Sequence, residues 1–151
     1  MESLIAVEQY TPFFYNILLV VTVFLFLNSY NTKLETVTIA PNHLKYWWIV
    51  LFVIVFIGFR PISGKYFGDM RNYANYFEQY ALGEPVNLES DKDWLFEYFM
   101  KFCSGIMTVE DFFVVCAILY VVPLFIFVKK IFKDYWFYGF FMLVISMSFW
   151  A

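Results

Sequence analysis

The apolar positions of this chain fall in four long runs separated by polar stretches. The first runs from roughly Phe13 to Asn28 and the second from roughly Leu44 to Phe59. The third runs from roughly Phe112 to Val128, and the fourth begins near Tyr135 and continues to Ala151. Runs of this kind predict membrane-crossing helices, although the first two are near the short end of what spans about 30 Å of hydrocarbon. Tyr46, Trp47 and Trp48 supply an interfacial aromatic belt for the second. Thr108-Val-Glu-Asp111 reads as a capping box before the third, and Pro123 predicts a kink inside it. The predicted fold is an all-α integral membrane protein of about four helices, with an incomplete bundle. Its parts are 1–59 (two spans and a short loop), 60–111 (a long loop) and 112–151 (two further spans).

The 60–111 segment has a different pattern. Tyr73, Tyr76, Phe77 and Tyr80 recur at i, i+3, i+4 and i+7, which predicts a helix with one aromatic face. Asp69 stands where its N-cap would be, and Gly83-Glu84-Pro85 ends it. A second short helix is predicted from about Asp91–Asp93 to Cys103, with Glu97 and Lys101 paired on its wet side. Trp94, Leu95, Phe96, Tyr98, Phe99 and Phe102 are too many aromatic and apolar groups for a solvated helix. The pattern places it in the membrane interface or against the spans.

Composition agrees with a bilayer as solvent. Apolar residues make up 62% of the 151 and charged residues only 15%, against about 25% in an ordinary soluble domain. The net charge of −3 is small and no basic run suggests nucleic acid, so no nucleic-acid partner is expected. His43 is the only histidine, which argues against a histidine-based metal site or catalytic triad within this chain, and no cofactor or metal is expected. Cys103 and Cys116 form no CxxC pair and read as small buried hydrophobes. The start, MESLIAVEQYTPFF, lacks a basic n-region and reads as a retained anchor. The last run meets no cap or charge before Ala151, which predicts a reading frame that continues.

Lysines set the orientation. Lys129, Lys130 and Lys133 lie between runs three and four, Lys33 and Lys45 between runs one and two, and no basic residue precedes run one. The positive-inside rule then puts the N-terminus and the 60–111 segment outside.

Candidate chemistry collects in that outward segment. Arg60 reads either as a helix-end anchor that snorkels to headgroups or as an anion clamp. Arg71 reads as an exposed helix charge or as a second contact to a diphosphate. Gly64 and Gly68 permit turns that let backbone amides approach an anion. Asp69 reads as a cap or as a catalytic carboxylate, and Asp91, Asp93 and Glu97 as a solvated face or as a general base toward a sugar hydroxyl. Tyr73 and its neighbours read as packing or as a sugar-stacking platform.

The order Phe59-Arg60, glycine loop, Gly68-Asp69, Tyr73, aromatic helix, Gly83-Glu84-Pro85 and Asp93-Trp94-Leu95-Phe96 resembles the N-terminal part of the EpsG family. These are bacterial polysaccharide membrane proteins related to Wzy-type O-antigen and capsule polymerases. The PISGKYF gap between Arg60 and Gly68 is longer than in the members it resembles. The resemblance implies a glycosyltransferase of the inner membrane, with more spans than this chain. Its substrate would be an undecaprenyl-diphosphate-linked oligosaccharide, and its partners other polysaccharide-assembly membrane proteins. It implies Arg60 and Asp69 as catalytic, and Gly68, Arg71, Tyr73 and Asp93 as substrate-binding. The alternative is a non-catalytic fragment or small membrane partner subunit.

Overall fold

The computed structural model describes residues 5–31, 47–86 and 93–146. Lys33, His43, Leu44, Lys45, Tyr46, Asp91 and the run-out from 147 to Ala151 lie outside the described residues. Among those described, the secondary structure is helical throughout. It comprises α1 (Val7–Asn31), α2 (Trp47–Gly58), α3 (Met70–Ala81), α4 (Trp94–Ser104), α5 (Val109–Phe132), a 3-10 turn (Lys133–Tyr135) and α6 (Trp136–Ser146).

Length separates these helices. At 1.5 Å per residue, the 25 residues of α1 and the 24 of α5 each extend about 36 Å, enough for a bilayer core. The described α2 and α6, with 12 and 11 residues, extend about 17 Å each. Among the described residues two apolar segments therefore reach crossing length, Val7–Leu27 and Val109–Ser146, the second containing both the third and the fourth expected runs. Thr22, the hydroxyl inside α1, donates to the Leu18 carbonyl at 2.7 Å, which keeps a polar group paired within an apolar run. α5 continues as helix through Pro123.

The chain forms two compact units, one of residues 1–53 and 121–151, the other of residues 54–120. In the first, Phe14 and Leu18 of α1, Ile49 and Val53 of α2, Val121 and Phe125 of α5 and Phe140 of α6 are buried. Phe14 stacks on Phe52 at 6.2 Å, Trp47 meets Phe125 at 4.6 Å, and Trp48 meets Phe137 at 6.4 Å. The Lys129 ammonium stands 5.7 Å over the Trp47 ring. Phe125 and Phe140 have ring centroids 5.9 Å apart, edge to face. Fifteen residues of straight helix would separate them by about 22 Å, so α6 turns back on α5. The reversal occurs at Lys133, whose φ of 47° is left-handed.

In the second unit, Phe77 and Tyr80 of α3, Met100 and Cys103 of α4 and Phe112 of α5 form one buried cluster. Phe112 is its hub, with ring centroids 5.1 Å from Phe77, 6.1 Å from Phe96 and 5.7 Å from Phe99. Both cysteines are free thiols, and Cys103 is buried there. Thr108 caps α5 as its spacing predicts. Its hydroxyl accepts from the Asp111 N–H at 3.3 Å and donates to the Asp111 carboxylate at 2.8 Å.

Candidate functional site

A cavity of about 370 Å³ opens between α3 and α4. Asp69, Asn72, Tyr73, Tyr76 and Tyr80 line it from the first turn and one side of α3. Asp93, Phe96, Glu97 and Met100 line it from α4. Helical spacing explains both rows, since positions three and four apart share a face. The aromatic row of α3 divides between core and cavity. Phe77 is buried in the cluster, Tyr80 is buried and still reaches the cavity, and Tyr73 and Tyr76 keep 40% and 37% of their surface exposed. The Tyr73 ring meets Phe96 edge to face at 5.5 Å and closes the wall between the helices.

Asp69 occupies the N-cap position of α3 but does not cap it. Its backbone is right-handed helical, at φ −79° and ψ −15°, and its side chain makes no cap hydrogen bond. A capping side chain needs the extended backbone that N-cap residues usually adopt; here the carboxyl belongs to the cavity wall. The other end of α3 follows its sequence signal. Gly83 takes φ +95°, its N–H reaches the Tyr80 carbonyl at 3.0 Å, and the Glu84 N–H reaches Gln79 at 3.2 Å. Lys101 then donates to the Glu84 carbonyl at 2.9 Å, in place of the expected pairing with Glu97, and ties α4 to the end of α3.

The arginines are placed elsewhere. Arg60 follows α2 directly; its Nε donates to the Met70 sulfur at 3.1 Å, and its guanidinium lies 4.4 Å over the buried Phe67 ring. Arg60 thereby folds the 60–70 loop onto itself. A Cβ built on Gly64 would come within 3.1 Å of the Arg71 side chain, so Gly64 is the place where the Arg71 stem crosses the loop. Gly68 has an ordinary φ and open space around it. Of the six residues expected in a site, Asp69, Tyr73 and Asp93 line the cavity, while Arg60, Gly68 and Arg71 do not. Asn72 carried no expectation, and Tyr76 was expected only as part of the aromatic packing or stacking face. Their signal was available in the helical period, one turn from Asp69 and Tyr73.

The cavity can hold a neutral, hydroxyl-rich group. Tyrosine faces offer stacking surface, while the carboxylates and Asn72 accept hydrogen bonds from hydroxyls. Three carboxylates and no cationic side chain disfavour a phosphate inside it. Among the described residues, no group of three or more acidic, cysteine or histidine side chains is arranged to hold a metal ion.

The chain matches no known protein family, curated protein or solved structure.

Proposed function

We propose that this chain is part of a membrane glycosyltransferase of the EpsG type, and that the α3–α4 cavity receives the acceptor sugar of a polyprenyl-diphosphate-linked oligosaccharide. The observation that carries this reading is the cavity itself. Its volume of about 370 Å³ suits one or two sugar rings, and its lining combines tyrosines with carboxylates. A general base must lie within hydrogen-bond reach of the proton it removes. Asp69, Asp93 and Glu97 line the cavity and would take that role on a bound hydroxyl. The diphosphate belongs outside the cavity, toward the arginine loop. There Arg60 and Arg71 would offset the charge that develops on the leaving group.

The orientation follows the lysines, with the N-terminus and the 60–111 segment on the outer face of a bacterial inner membrane. The two helices of crossing length are compatible with insertion.

The test is surface polysaccharide in a cell that depends on this chain. Asp69→Asn, Asp93→Asn and Glu97→Gln are made singly and together. Loss of the base lowers polymer formation by about 10²- to 10⁴-fold, with membrane insertion unchanged. Normal polymer from the triple variant would exclude the cavity from the reaction.

A second reading, a non-catalytic membrane partner subunit, is favoured by one observation: no arginine reaches the cavity, and Arg60 is engaged with Phe67 and Met70. It predicts that the triple variant still supports polymer formation but that deletion of the chain does not.

A further inference from the structure

α4 carries apolar residues on two opposite sides. Phe96, Phe99, Met100 and Cys103 turn into the cluster around Phe112. Trp94, Leu95, Tyr98 and Phe102 fall within about 100° of the helix circumference on the other side. They are exposed by 62%, 68%, 48% and 70%, with Ile106 beyond the helix end exposed by 65%. No charged residue interrupts this outer row; Glu97 and Lys101 lie between it and the core. A row of this size does not face water in a stable protein without a reason.

The depth of α4 identifies what covers it. A Cβ on Gly58 would stand 2.9 Å from the Val114 Cα, so the end of α2 is level with the start of α5. The segment between them therefore leaves and returns at one level. On α5, the exposed Thr108–Asp111 cap marks water, and the exposed Ile118, Leu119 and Tyr120 mark an apolar surround. Seven residues, about 10 Å of helix, separate Asp111 from Ile118. α4 packs against Phe112, inside that interval, through Phe96 and Phe99. Ten ångströms is the thickness of the zone in which amphipathic helices lie at a bilayer surface, and Trp and Tyr are enriched there.

We propose that α4 is an interfacial helix whose outer row, Trp94, Leu95, Tyr98 and Phe102, is buried at the headgroup–acyl boundary of a lipid bilayer, with the cavity on its other side. A substrate held in the cavity would then sit beside the headgroups, within reach of a lipid-anchored chain. The placement of α4 stands whether or not the cavity takes a sugar.

The test uses the full chain with Cys103→Ala and Cys116→Ala in phosphatidylcholine–phosphatidylglycerol vesicles. Spin labels are attached at Leu95→Cys, Tyr98→Cys or Phe102→Cys, with Glu97→Cys and Lys101→Cys as comparators. Labels on the outer row are expected to relax several-fold more with oxygen than with a water-soluble nickel chelate, and the comparators to show the opposite preference. Nickel access at positions 98 and 102 would overturn the proposal, because the row would face water. Labels reached by neither reagent would also overturn it, because a protein surface would be the cover. A second measurement does not depend on the labelled variants folding. Lipids brominated near the headgroup are expected to quench the unsubstituted chain more than Trp94→Phe, and equal quenching would count against the interfacial position.

Discussion

Gly58 lies against the backbone of Val114, so closely that a methyl group on it would meet the Val114 Cα at 2.9 Å. Small residues at such points allow helices in a membrane to approach through their backbones. Because the obstacle is main chain, Gly58→Ala cannot be absorbed by a rotamer change. It is expected to cost about 1–3 kcal/mol, the range for overpacked interiors. A lower midpoint for denaturation in detergent would record it, and an unchanged midpoint would mean that α2 and α5 do not approach so closely.

Arg60 has two effects that one substitution would confuse. Arg60→Ala removes both a cation that could offset a diphosphate and the cap over Phe67. The expected outcome is loss of surface polysaccharide with insertion intact. Phe67→Leu keeps the guanidinium and removes the aromatic face beneath it, a contact worth about 0.5–2 kcal/mol. Its outcome should be faster proteolysis in the 60–70 loop with polymer retained. Normal polymer length in Arg60→Ala would exclude a clamp role and leave only the loop contact.

Gly83 holds φ +95° with open space around it, so only the backbone resists a side chain there. Gly83→Ala should cost on the order of 1 kcal/mol through left-handed strain. The effect should be local: faster hydrogen exchange in the last turn of α3, and weaker protection of the Glu84 N–H that reaches the Gln79 carbonyl. Equal exchange would show that the turn relaxes to another form.

Orientation can be read with one introduced thiol. Glu84→Cys, on an exposed turn, should react with an impermeant maleimide from outside the cell. The background should be low at Cys103, because burial pushes its thiol above the ordinary value and reduces its thiolate at any given pH. Labelling only after the inner membrane is broken would reverse the topology.

Much of the helical layout was legible in residue order. The aromatic repeat from Tyr73 to Tyr80, Gly83 after it and Thr108 before α5 each carry local chemistry that acts wherever the segment lies. The cavity was legible only in part. Asp69 and Asp93 are 24 positions apart, and they share a wall because Phe77, Met100 and Phe112 pack α3 against α4. No local pattern encodes that pairing. Asp69 illustrates the limit: it occupies the expected cap position, yet its helical backbone makes it a cavity residue. The Arg60 contact with Met70 was hidden for the same reason, since a loop closure depends on where Phe67 is buried.

The left-handed residue Lys133 has a consequence for how the chain enters a bilayer. As one straight helix, Val109–Ser146 would be about 57 Å long, nearly twice the hydrocarbon thickness. Folded back at Lys133, its two halves can insert side by side, as a hairpin led by its apolar flanks. Lys129, Lys130 and Lys133 cluster at or near the fold, where their ammonium groups can stay at the headgroup–water boundary. Moving the reversal by one helical turn in either direction would force a lysine into the hydrocarbon or leave an apolar turn in water. One backbone angle thus turns α6 back alongside α5.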